Sequence, residues 1–239
     1  MRIFLSFTFL IIASIYDLKT REVPNKIWIV FIPISCITTV IHILANTSQF
    51  YFSIASITIT TLIAIGIFYA GLYGGSDAKA LITLALAHPT LLNKSLTLPI
   101  LPLSAFNNSL VLMLLALPVS TLRNFYWKMQ THQPLFKGLE KEPIQKKLGA
   151  LIFCVKTQKS KIKPYHIIAE RIENKNGETR RTLHIFQKVK EEDGIVDCSI
   201  PENAFVAFSL PMLPFLTCGY LLSITIGDLI FRILTTFRG

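Results

Sequence analysis

Long apolar runs, broken by short polar segments, dominate the chain. They cover Ile3–Tyr16, Ile27–Ala45, Phe50–Ser76, Ala80–Asn93, Ser95–Leu122 and a last stretch from Asn203 to Gly227 or beyond. Runs of this length and polarity predict membrane-crossing helices. Pro33 predicts a kink in the second. Pro99 and Pro102 split the fifth into a loop or half-helix, Leu98–Ser104, and a span, Asn107–Leu122. Ile3–Tyr16 also fits the apolar core of a signal peptide. We read it as a retained first span, because more spans follow and Asp17 opens a polar motif. The 14-residue run Ala80–Asn93 is ambiguous by length alone. Orientation decides it. The segments after the first run (Lys19, Arg21, Lys26) and after Leu122 (Arg123, Lys128) are basic, and basic flanks face the cytoplasm. Both do so only if an even number of spans separates them. Counting Ala80–Asn93 therefore gives six spans, with both termini outside.

The segment from Arg123 to Glu202 is hydrophilic. Leu148–Val155, Tyr165–Ile172 and Thr182–Val189 read as strands, and Asn176-Gly177 between the last two is a hairpin signal. Thr157–Lys163 reads as a basic loop. The predicted architecture is an α-helical integral membrane protein of about six transmembrane helices. A small cytoplasmic β-rich (α+β) domain is inserted before the last helix. The membrane domain comprises residues 1–122 plus 204–239, and the soluble one 123–203.

Charge sharpens this picture. Charged residues make up only 16% of the 239 residues, against 51% hydrophobic, well below the charge of an ordinary soluble domain. The insert carries 16 of the 24 basic residues and 10 of the 14 acids, so its excess of six positive charges suits anionic lipid head groups or acidic partners. Four acids remain in the apolar regions: Asp17, Glu22, Asp77 and Asp228. A carboxylate near a bilayer is costly, so each demands a reason. Asp228 reads as a cap or a partner of Arg232. The four cysteines (Cys36, Cys154, Cys198, Cys218) form no CxxC pair and read as small hydrophobes. His42 and His88 read as interfacial histidines near the outer helix ends. No metal site and no cofactor loop are predicted.

Asp17 and Asp77 fall at the same membrane depth, on different helices. Two facing carboxylates cannot both ionise at short range, so they share a proton. One then takes a proton from water while the other gives one to a scissile carbonyl oxygen. The glycines before Asp77 (Gly71, Gly74, Gly75) would let backbone and an extended substrate approach it. Taken singly, Asp17 could be a helix-end acid paired with Lys19 or Arg21, and Asp77 a helix N-cap.

The two segments resemble those of the archaeal preflagellin and prepilin peptidases, membrane aspartyl proteases of the type IV prepilin peptidase group. Asp17, Arg21, Val23, Pro24 and Asn25 match the first motif, Asp-x-x-x-Arg-x-(Ile/Val)-Pro-Asn. Gly74, Gly75 and Asp77 match the second, Gly-x-Gly-Asp, with Ser76 in place of its second glycine. Lys79 after it is also similar. Pro214–Leu216, Gly219-Tyr220 and Gly227-Asp228 resemble the family's last span more loosely. The resemblance implies an aspartic endopeptidase that removes short basic leaders from preflagellin or prepilin-like subunits at the cytoplasmic face of the cell membrane. Asp17 and Asp77 would be catalytic, with Gly74, Gly75, Lys79, Arg21, Pro24 and Asn25 in support. It implies no cofactor, no nucleic-acid partner and, without the CxxC pairs of bacterial relatives, no methyltransferase activity. Competing readings are a transporter or channel using the acids for ions, a presenilin-like protease, which lacks its Pro-Ala-Leu motif here, and a structural membrane protein.

Overall fold

The computed structural model describes residues 2–90, 99–162, 166–175, 178–184, 200–207 and 211–237. Asn93, the segment Ser95–Leu98, Lys163, Tyr165, the Asn176-Gly177 turn, Val189 and Cys198 lie outside the described residues. The chain divides into two compact units, residues 1–114 with 211–239 and residues 115–210.

The first unit is helical: α1 (Arg2–Thr20), α2 (Asn25–Ala45), α3 (Phe50–Tyr69), α4 (Gly75–Ala87), the first half of α5 (Leu101–Thr131), α7 (Met212–Thr225) and α8 (Leu229–Thr236). Four of these helices are long and apolar enough to cross a membrane, and the α7–α8 pair, bent by 52°, would make a fifth. The protein is an integral membrane protein. The run read as Ala80–Asn93 is α4, which starts five residues earlier and is 13 residues long. It stops at Ala87 because Pro89 offers no N–H to continue it. Its length, about 20 Å at 1.5 Å per residue, is below that of a complete span. α5 begins at Leu101, within the stretch read as loop or half-helix, with Pro102 tolerated in the first turn. It continues through Leu122 to Thr131. The units divide between Leu114 and Leu115, beside the carbonyl that Pro118 cannot serve as donor.

The unit has an apolar core that includes Phe9, Leu81, Leu213 and Tyr220, but on α2 and α3 many inward positions are small and polar. On α3 the buried positions are Ser53, Ser56, Thr60 and Ala64, while Tyr51, Leu62 and Tyr69 point outward. On α2, Ser35, Thr38 and Thr39 are buried, and Ile29, Val40 and Leu44 are exposed. Small residues let helices approach closely where lipid, not water, covers the outside. Three of the hydroxyls find backbone acceptors: Ser56 donates to Pro89 O at 2.6 Å, Thr38 to Ser35 O at 2.9 Å, and Thr39 to Leu86 O. α4 sits centrally, touching α1, α2, α3 and α7, with Ala80, Leu84, Ala85 and Ala87 fully buried. Where α7 crosses α5, Gly219 lies directly against the Ala105 carbonyl, which leaves no room for a Cβ.

The second unit holds the rest of α5, α6 (Ile144–Phe153) and five short strands: β1 (Cys154–Gln158), β2 (Ile167–Ile168), β3 (Glu170–Lys175), β4 (Glu178–Leu183) and β5 (Asn203–Ala207). The strands form an antiparallel β1-β5-β2 sheet and a β3-β4 hairpin with Lys175 opposite Glu178. Two expectations are corrected here. Most of Leu148–Val155 is helix, because Ile144, Leu148 and Leu151 recur at helical spacing after Pro143, and the strand starts only at Cys154. Asn203–Ala207 is the central strand of the sheet rather than the start of the last span. Its continuous burial at Ala204, Phe205 and Val206 makes it resemble a membrane segment in sequence. The last membrane helix starts at Met212, behind Pro211.

A buried ion network ties this unit together. Lys156 Nζ lies 2.6 Å from Glu170 Oε2 and 4.4 Å over the Phe205 ring. Glu170 also accepts the Phe205 N–H at 3.0 Å and meets Arg181 at 3.4 Å. Burial pulls the Lys156 ammonium below the usual lysine range, and Glu170 opposes that pull. Burial also pushes the Cys154 thiol up to about 12, consistent with an inert core position.

Three outcomes follow from these contacts. Gly219→Ala forces α5 and α7 apart and lowers thermal stability in detergent by about 1–3 kcal/mol. Gly66→Ala, where a Cβ meets nothing within 4 Å, leaves stability unchanged. Glu170→Ala strands the Lys156 charge and costs the second unit about 3–5 kcal/mol, measurable as lost protection from amide hydrogen exchange across β1 and β5.

Candidate functional site

Asp17 lies near the C-terminal end of α1, 9% exposed. Its Oδ2 accepts the backbone N–H of Leu213 at 3.1 Å. Leu213 is the second residue of α7, so this N–H is one of the first-turn donors that no intrahelical carbonyl can serve. The positive end of the helix also favours a carboxylate there. One turn further along both helices, Ser14 Oγ and Thr217 Oγ1 are 2.7 Å apart. Thr217 Oγ1 lies 2.9 Å from Leu213 O. If Thr217 donates to that carbonyl, Ser14 donates to Thr217, and α1 is tied to α7 on both sides of one turn.

The chain leaves α1 by a strained route. Arg21 adopts φ 60°, the left-handed region that a non-glycine residue seldom occupies, and its N–H reaches Asp17 O at 3.2 Å. Thr20 Oγ1 supports the turn through Glu22 O at 2.8 Å. The Arg21 charge acts on Asp17. Val23 is buried, whereas Pro24 and Asn25 are exposed at the start of α2.

Asp77 is built by a different device. α3 closes with Gly71 at φ 69°, Gly71 N bonded to Phe68 O at 3.0 Å and Leu72 N to Ile67 O at 3.2 Å. This is the double bond pattern that ends a helix at a glycine. Three residues on, Gly74 is the N-cap of α4 and Asp77 its third residue. Asp77 Oδ2 accepts the Gly74 N–H at 3.1 Å. Asp77 is therefore not the cap itself but the residue that reaches back to it, as in a capping box. A Cβ at Gly74 would sit 3.4 Å from Asp77 Oδ2, and one at Gly75 3.6 Å from the Phe68 ring. Both are ordinary contacts, so packing within the described residues does not demand glycine at either position.

The carboxylates of Asp17 and Asp77 are close enough for the charge of one to act on the other, and α1 and α4 pack together. Beside Asp77 lies a small, partly open hollow of about 10 Å³, walled by Tyr73, Leu81, Phe106 and Met212 among others. That volume is about enough for one water molecule. Met212 precedes Leu213, so the start of α7 touches Asp17 with one residue and borders the Asp77 hollow with its neighbour. The two motif loops are joined as well. Lys79 Nζ donates to Asn25 Oδ1 at 2.7 Å, where the sequence suggests only a lysine reaching for the interface.

Asp228 and His88 have structural partners. Asp228 caps α8, accepting the Phe231 N–H at 2.9 Å and the Asn107 amide at 2.8 Å. His88 is buried rather than interfacial, with Nδ1 3.1 Å from the Tyr220 hydroxyl. Among the described residues, no three His, Cys, Asp or Glu side chains are grouped to hold a metal ion. Tyr73, which precedes the second motif, could be read from the sequence as either an interface aromatic or a residue lining the cleft. Sequence reasoning missed the Leu213 N–H, Thr217 and Met212. The available signal was Pro211, which marks a helix start whose orphan donors need an acceptor.

A search of the curated proteins returned no significant match. Residues 4–117 match the profile described as the type IV leader peptidase family. The matched segment contains Asp17, Asp77, Lys79 and Asn25, and ends before α7. That segment, which carries two carboxylates on adjoining helices, is what this chain shares in similarity with the type IV leader peptidase family.

Proposed function

We propose that the protein is an aspartic endopeptidase that removes the leader peptide of prepilin-like subunits, preflagellin among them, with Asp17 and Asp77 as its catalytic pair. The observation that carries this reading is that Asp17 and Asp77 lie on packed helices, near enough for the charge of one to act on the other, within the family-matched segment. Each carboxylate is pinned through one oxygen to a backbone N–H, Asp17 to Leu213 and Asp77 to Gly74. The second oxygen of each is left for a water or a substrate carbonyl. In the proposed reaction one aspartate takes a proton from water as its oxygen attacks the scissile carbonyl carbon. The other gives its proton to the carbonyl oxygen. The tetrahedral species then collapses, with the proton returned to the departing nitrogen.

Gly74 and Gly75 support an approach to Asp77 by an extended substrate. Neither glycine is demanded by the protein's own packing, and a missing side chain leaves backbone accessible. The hollow at Asp77 is too small for a peptide, so substrate entry parts Tyr73 and Met212. Arg21 holds a strained turn beside Asp17, and Pro24 and Asn25 set the start of α2 from which Lys79 is held. We place the site at the cytoplasmic membrane face from Lys19, Arg21 and Lys26, the basic residues at the α1–α2 connection beside Asp17. A substrate whose own hydrophobic helix lies in the bilayer is thereby delivered at the right depth. The basic insert is the part of the chain suited to acidic segments or anionic lipid.

Cleavage of a leader-bearing pilin-like substrate by the chain reconstituted in membranes tests the assignment. Asp17→Asn and Asp77→Asn each lower the rate by about 10²–10⁴-fold, with the variants folded and inserted. Full cleavage by either variant removes the pair from the mechanism, and ion flux without any cleavage favours a transporter instead. Thr217→Val loosens the tie that holds α1 against α7. It lowers kcat by about 10–100-fold with little change in KM, displaces the pH–rate profile, and is rescued by Thr217→Ser.

A further inference from the structure

The chain turns sharply after α7. Gly227 takes φ 95°, and α8 leaves at 52° to α7. A break in a helix exposes backbone groups, and here α5 serves them. Asn108 Nδ2 donates to Gly227 O at 2.9 Å, and Asn108 Oδ1 accepts the Leu229 N–H at 2.8 Å. Asn107 holds the Asp228 carboxylate, which caps α8. The turn is thus a built corner rather than a frayed end.

Contacts along α7 fix its depth. It begins against Asp17, passes Leu10 and Ser14, and reaches His88 through Tyr220. The residue next to His88, Ala87, accepts from Arg2 at the start of α1. From Leu213 to Gly227 the rise is about 21 Å, and from Asp17 to Arg2 about 22 Å, at 1.5 Å per residue. α7 therefore runs the depth of α1, and the corner falls level with the far end of the bundle. The 52° bend turns α8 well away from the α7 axis at that level.

α8 itself is two-faced. Leu229, Ile230, Ile233, Leu234 and Phe237 share one side, and Arg232, Thr235 and Thr236 the other. The apolar side is partly covered at Leu229 and Ile230 and open beyond them: Ile233 is 51%, Leu234 59% and Phe237 87% exposed. We propose that α8 lies in the lipid head-group boundary opposite the Asp17 face, with its apolar side in the acyl region and Arg232 toward lipid phosphates. The chemistry is that of an interfacial amphipathic helix. The occupant follows from continuity with the lipid-facing surface of the bundle and from the cation on the polar side. The proposal stands independently of the peptidase reading.

The test uses the full chain with Cys36, Cys154, Cys198 and Cys218 replaced by Ala, reconstituted in vesicles of phosphatidylcholine with phosphatidylglycerol. Single nitroxides are placed at Ile230→Cys, Arg232→Cys, Ile233→Cys, Leu234→Cys and Thr236→Cys, and depth is read from oxygen against nickel-chelate accessibility. The expected pattern follows the helix face. Labels at 230, 233 and 234 sit about 5–10 Å below the head groups, and labels at 232 and 236 face water. A depth that instead changes steadily along the helix, by about 1 Å or more per residue, overturns the proposal and makes α8 the far half of a broken span. Uniform water exposure overturns it, and so does protection from both reagents, which would reveal a protein partner.

Discussion

A carboxylate or a free backbone N–H in an apolar bundle must find a partner within the protein, because lipid offers none. Much of the first unit is arranged around that demand. The orphan donors at the start of α7 and the carboxylate near the end of α1 answer each other in the Leu213–Asp17 bond. The start of α4 is answered by Asp77, and the corner before α8 by Asn107, Asn108 and Asp228. Three of the four acids in the apolar regions are thus engaged at helix starts. The same pairing that makes Asp17 and Asp77 tolerable places them on adjoining helices with one oxygen each uncommitted.

The helix interfaces obey the same constraint in another form. Because lipid is as apolar as leucine, burying leucine between helices gains little, and close backbone approach gains more. Ser53, Ser56, Thr60 and Ala64 line the inner side of α3 for that reason, and Gly219 lets α7 press on α5. Packing against α1 on one side and α5 on the other fixes where α7 begins, and so where the Leu213 N–H points. A glycine on the far side of α7 is in this way part of the geometry around Asp17.

The order of helices, the insert and the two aspartates were legible because charge is scarce in the membrane part. Each exception stands out, and basic flanks orient the runs around it. Boundaries were harder. Asn203–Ala207 is as apolar as a span because it is the central strand of a small sheet. Leu148–Val155 is rich in apolar residues that suit either a buried helix or a strand. α4 is cut short by Pro89, a breaker the charge-based count did not weigh. The contribution of α7 to the site was legible only as a loose likeness at Pro214 to Tyr220. An N–H donor has no sequence signature, and Leu213 could have been any non-proline residue.

The bond that seats Asp17 joins residues 196 positions apart. At ordinary elongation rates of about 5–20 residues per second, a nascent chain carries Asp17 for roughly 10–40 seconds before Leu213 exists. For that interval the first aspartate has no α7 behind it. Assembly of its surroundings therefore waits on the making of α7, so a nascent chain that has not yet reached Leu213 lacks the arrangement.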